Sequence, residues 1–74
     1  MQGPIRTPEQ LGAAIRARRK ELGATQVELA GLAAVGPRFV SEVEQGKPTA
    51  EWGKVLRLLD RLSMRIYLDA GSVR

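Results

Sequence analysis

Apolar residues recur at helical spacing through most of this chain and then switch to strict alternation near its end. Leu11, Ala14, Ile15 and Leu22, with Arg18 among them, fall on one side of a helix. Thr7 is placed to cap it, Pro8 suits the first helical position, Gln10 completes a capping box, and Gly23 follows as a left-handed terminator. The pattern predicts a first helix over about 8–22. Thr25 and Glu28 form a second capping box ahead of Val27, Leu29, Ala30, Leu32 and Ala33, predicting a helix over 26–33. Gly36-Pro37 opens another over 37–45, with Phe39, Val40 and Val43 as its apolar contacts. Gly46 stops it and Lys47-Pro48 forbids continuation. Thr49 is read as the cap of a fourth helix over 50–62, whose inward face is Trp52, Val55, Leu56, Leu59 and Leu62; Gly53 weakens it by about 1 kcal/mol relative to Ala. After Leu62, Met64, Ile66 and Leu68 alternate with Arg65, Tyr67 and Asp69, which predicts a half-buried strand over 64–69. No repeat, low-complexity segment or boundary interrupts residues 1–74, so one domain is expected.

Composition narrows the class. The chain is 43% hydrophobic but only 4% aromatic, which favours a helical core over a sandwich or barrel. With no Cys and no His, disulfides, thiolate or imidazole metal sites and the usual nucleophile–base pairs are removed together. The scattered carboxylates form no recognisable pair, so no enzyme and no cofactor are expected. Neither a signal peptide nor a run of ~18 apolar residues is visible, so a cytoplasmic protein without a membrane partner is expected. A net charge of +4 suits a polyanion without establishing one. A chain of 74 residues buries only about 60% of its unfolded surface and gains from a partner.

Two short helices joined almost without a loop form an angular unit that can enter the DNA major groove. The first would lie across the backbone, with its N-terminal amides and Gln26 directed at a phosphate. Small or apolar residues stand where the two must meet: Leu29, Ala30, Val35, Val40 and Val43.

Thr25, Gln26, Leu29, Ala30, Ala33, Val35, Ser41, Glu44 and Gly46 reproduce a spaced signature, T-Q-x-x-L-A-x-x-A-x-V followed by S-x-x-E-x-G. Through it the chain resembles the Xre/Cro family of helix-turn-helix repressors over residues 11–62. The resemblance implies an all-α, lambda-repressor-like bundle of four helices, with Thr25 and Gln26 on the DNA side. It carries the family's base contacts onto Pro37, Arg38 and Glu42, with Phe39 and Ser41 beside them. Arg38 would pair bidentately with guanine, or contact phosphate; Glu42 would accept from cytosine N4, or remain a solvated helix charge. Phe39 would touch a thymine methyl, or pack into the core. Lys47 is expected on a phosphate. Pro37 lacks both an N–H and a polar side chain, so any readout there is lost. The turn position that the family gives to Gly is Ala34, and a left-handed Ala costs about 1–2 kcal/mol. The resemblance also implies that Arg19, within the run RARRK, pairs with a buried Glu44 as a structural clamp rather than forming a basic DNA patch.

The entry TPEQL and the terminal MRIYL are similar to HipB-type antitoxins. That likeness implies a homodimer closed by a strand carrying Met64, Ile66, Tyr67 and Leu68, a palindromic operator, autoregulation of its operon and a HipA-like kinase toxin as partner. A stand-alone or phage-type regulator, and an interaction module that has lost DNA binding, remain open alternatives.

Overall fold

The computed structural model describes residues 3–71, which form four helices in chain order: α1 (Pro8–Glu21), α2 (Gln26–Ala33), α3 (Pro37–Glu44) and α4 (Trp52–Arg61). α3 packs on both α1 and α2, and α4 packs on α2. Ile15, Leu29, Ala30, Ala33, Val40, Val43, Val55, Leu58, Leu59 and Leu62 make one continuous core, with Leu11, Val35, Phe39, Ala50 and Met64 against its edge.

The helix starts follow local chemistry. The Thr7 hydroxyl accepts from the Gln10 amide, with Pro8 directly after it. At α2 the capping box is reciprocal: Thr25 Oγ1 accepts from the Glu28 amide at 3.0 Å and Glu28 Oε1 accepts from the Thr25 amide at 2.8 Å.

All four helices end in the same way. The pair of reversed hydrogen bonds that defines a Schellman motif closes α1 (Gly23 to Lys20, Ala24 to Arg19), α2 (Ala34 to Gly31, Val35 to Ala30), α3 (Gly46 to Val43, Lys47 to Glu42) and α4 (Ser63 to Asp60, Met64 to Leu59). Two of the four pivots are glycines, Gly23 and Gly46, at φ 75° and 89°. The other two, Ala34 and Ser63, adopt the left-handed conformation at φ 57° and 56°. The turn between α2 and α3 therefore keeps the geometry that glycine would take, at a steric cost to Ala34. Arginines from α4 support this turn from outside: Arg57 donates to the Ala33 and Ala34 carbonyls at 2.9 and 3.2 Å, and Arg61 donates to Leu32 at 2.9 Å. Arg18 does the same for α4, donating to the Leu62 carbonyl at 2.9 Å.

Three expectations are corrected. Thr49 does not cap α4, because Pro48 and Thr49 form a turn and the helix begins only after Glu51, its N-cap. The inward face of α4 includes Leu58, fully buried, whereas Trp52 and Leu56 are exposed at 55% and 43%. Among the described residues no strand forms at 64–69. Beyond Met64 the chain makes no backbone hydrogen bond there, because no other segment offers a strand edge.

Candidate nucleic-acid interface

The α2–α3 pair is fixed to α1 by sequence features that act over long range. Gly12 of α1 faces the backbone of α3, where a Cβ would meet the Val43 carbonyl oxygen and lie 2.7 Å from that of Glu44. Only glycine lets the two helices approach this closely. The approach brings Arg19 onto Glu44, both buried, with Nε to Oε2 at 2.7 Å and Nη2 to Oε1 at 3.0 Å. Arg19 Nη1 also donates to the Ala24 carbonyl, and Gln26 Nε2 donates to Glu44 Oε1 at 3.0 Å. Burial pushes the Glu44 carboxyl up. The Arg19 and Gln26 hydrogen bonds and the Arg19 charge outweigh it and hold the group below the usual carboxylate range. One network thus joins α1, the start of α2 and the end of α3. It places the Gln26 amide on Glu44 rather than in open solvent.

α3 divides cleanly. Val40, Val43 and Glu44 point inward, while Arg38, Ser41, Glu42 and Gln45 follow at helical spacing on the outer side. The Arg38 side chain is 91% exposed. Its Nε lies 3.3 Å from Glu42 Oε2, and Lys47 Nζ lies 3.3 Å from Glu42 Oε1. Lys47 reaches this position because the Schellman closure at Gly46 folds the chain back on the last turn. The Lys47 hydrogen bond, opposed by burial and reinforced by the charges of Lys47 and Arg38, keeps Glu42 below its ordinary range. Phe39 turns away from this face. It packs against the core, and Lys54 Nζ sits 5.7 Å from its ring centroid. Pro37 is exposed at the start of the helix, and the Thr25 hydroxyl is occupied by its capping bond.

Sequence reasoning missed Gln45, whose Nε2 donates to Ser41 Oγ at 3.2 Å. It lies just beyond the last helical residue, yet its seven-residue offset from Arg38 marks the same side. The outer side of α3 is therefore polar, carries two cations and one carboxylate when Lys47 is included, and stands out from a rigid base. Among the described residues, no group of three or more His, Cys, Asp or Glu side chains is placed to hold a metal ion.

This architecture, two short helices at an angle with a polar outer helix, defines a helix-turn-helix protein. A helix-turn-helix domain family model matches residues 10–64. An uncharacterised HTH-type transcriptional regulator of Sinorhizobium fredii, y4mF, is 52% identical over 70 residues, covering 95% of this chain and 92% of that protein. Solved structures share the fold: HipB in a HipB–O4 20mer complex has a TM-score of 0.86 at 24% identity, covering 96% of this chain and all of that one. HipB in a HipB–O1–O2 complex is 25% identical over 93% of this chain and all of that one, with the same TM-score of 0.86. A HipA–HipB–O2–O3 complex contains a chain equally similar in fold, with a TM-score of 0.86 at 24% identity. The chain belongs to the Xre-type helix-turn-helix family of transcriptional regulators, and its fold is that of HipB.

Proposed function

We propose that this regulator is an autoregulating repressor that binds a palindromic operator as a homodimer and serves as the antitoxin of a HipA-like kinase. The observation that carries DNA binding is the outer side of α3. Arg38, Ser41, Glu42 and Gln45 stand free of the core on a helix clamped from behind by Arg19 and Glu44. A helix set this way enters the major groove, where an arginine reads guanine O6 and N7 and a carboxylate reads cytosine N4. Lys47 beside α3 and the start of α2 at Thr25 and Gln26 would meet the flanking phosphates. Pro37, exposed in the first turn of α3, contributes shape at the margin, and Phe39 acts only from the core side. Since regulators of this fold were solved with HipA and with O1, O2, O3 and O4 components that we read as operator duplexes, the same partners are proposed here.

Dimerisation is assigned to residues 64–69. Ile66, Tyr67 and Leu68 are exposed at 47%, 81% and 94%, an apolar segment that forms no strand in the single chain and would become one by pairing with another chain. A second copy supplies that edge with twofold symmetry, and antiparallel pairing centred on Tyr67 sets Arg65 opposite Asp69. Adjacent half-sites would require the two α3 helices of such a dimer to sit about 34 Å apart. A cytoplasmic location follows from these partners.

A stand-alone regulator is the second reading, since the 52%-identical relative is described as an HTH-type transcriptional regulator. Co-expression with the product of the neighbouring gene separates the two readings. A stable complex that silences a kinase supports the antitoxin role, and operator repression with no such complex supports the stand-alone regulator.

A further inference from the structure

The outer side of α3 is internally satisfied. Glu42 lies at its centre and gives one carboxylate oxygen to each neighbour, Oε2 to Arg38 and Oε1 to Lys47, both at 3.3 Å. Ser41 and Gln45 complete a second pair on the same side. The two cations best placed to meet DNA are therefore both held by one anion. We infer that Glu42 sets specificity by retaining Arg38 and Lys47 until a duplex offers its carboxylate a hydrogen-bond donor instead, an inference that rests on the DNA-binding reading above.

The chemistry of the exchange is simple. A random duplex offers phosphates, which attract Arg38 and Lys47 but leave Glu42 facing negative charge with nothing to accept from. A like charge with no partner is a penalty against the wrong sequence. A duplex with a cytosine amino group opposite Glu42 removes that penalty, because N4 donates to the freed carboxylate while Arg38 moves to a base or phosphate. The pairs are long and solvent-exposed, so both can exchange quickly. Glu42 is ionised at neutral pH as any solvent-accessible carboxylate is, and its two cations lower its pKa further, consistent with the holding role.

The test uses Glu42→Gln, which keeps the length and helix preference of the side chain and removes its charge. Full-length wild type and variant are titrated by fluorescence anisotropy against two duplexes over a series of salt concentrations. One duplex is selected from a random pool by the wild-type protein; the other is its scrambled sequence. The variant should bind scrambled DNA about tenfold more tightly while its affinity for the selected duplex changes by less than about threefold, collapsing the ratio between them. On scrambled DNA its salt slope should steepen by about one to two units, one for each cation released to a phosphate. Adding Arg38→Ala and Lys47→Ala to Glu42→Gln should abolish the gain. An equal change on both duplexes would reduce Glu42 to a general repulsive charge and overturn the inference. Loss confined to the selected duplex would make Glu42 a base contact without a holding role, and unchanged binding would remove it from the interface; either overturns the inference too. If the wild-type protein selects no duplex at all, the DNA-binding reading itself fails, a result separate from the others.

Discussion

Arg19 and Glu44, 25 residues apart in sequence, meet through two parallel hydrogen bonds of 2.7 and 3.0 Å in a buried contact between α1 and α3. Removing one partner leaves the other charged and unpaired, which costs about 3–5 kcal/mol. In a domain of this length that is a large share of the total stability, given about 0.05–0.15 kcal/mol per residue. Arg19→Ala and Glu44→Ala should each lower the melting temperature steeply and loosen α3, and a double-mutant cycle should show strong coupling. Coupling near zero would remove the clamp. The pH dependence follows from the depressed Glu44 pKa. Its stabilising contribution is complete above the ordinary carboxylate pKa of about 4.3 and is lost as pH falls through the lower folded value. Thermal melts of Glu44→Gln between neutral and acid pH should show a flatter acid limb than wild type.

Gly12→Ala tests the close approach that brings the clamp together. Its new methyl meets the backbone of Val43 and Glu44, which has no flexible end to move aside. A loss of about 1–3 kcal/mol is expected, read as a fall of roughly 4–8 °C in melting temperature per kcal/mol. Gly31→Ala is the contrast. Its Cβ would enter open space, so the melting temperature should hold or rise.

Ala34 sits at φ 57° with a Cβ that this conformation crowds. Ala34→Gly relieves the crowding and loosens the unfolded chain, for a net gain of about 0.5–1 kcal/mol. Arg57→Ala removes two hydrogen bonds to the carbonyls of the same turn and should move the melting temperature the other way. A calorimetric scan of both variants checks the pair; a lower melting temperature for Ala34→Gly contradicts the strain assigned to this position.

The first three helices were legible because their starts carry local marks, Thr7-Pro8, Thr25 with Glu28, and Gly36-Pro37, and because Gly23 and Gly46 mark two of the ends. Thr49 misled because its capping chemistry is real but Pro48 commits it to a turn. On α4 the bulk of Trp52 and Leu56 pointed to the core, while burial follows the approach of α2, which selects Leu58 instead. The same limit hides Gly12, Arg18, Arg57 and Arg61. Each acts on a neighbouring helix, and the need for a glycine or a guanidinium there exists only once the helices have met. In the candidate site, Arg38 and Glu42 were legible as a helical pair. Their sharing of Glu42 with Lys47 depends on the reversal after Gly46, and Gln45 was hidden by lying past the helix end.

Ile66→Lys places a charge in the apolar alternation proposed to close the dimer. Light scattering should give a monomer mass for this variant, with operator affinity reduced to that of a single half-site. A dimer mass with operator affinity unchanged would reject residues 64–69 as the dimerisation element.

In the proposed complex α3 reads DNA through Arg38 while Lys47 only anchors the backbone. The most direct measurement compares Arg38→Ala and Lys47→Ala by anisotropy on the selected operator and on operators changed one base pair at a time. Arg38→Ala should cost about 1–3 kcal/mol and erase preference at one base pair in each half-site. Lys47→Ala should weaken every duplex alike and flatten the salt slope by about one unit. A uniform loss from Arg38→Ala, with all sequence preference intact, would contradict the account.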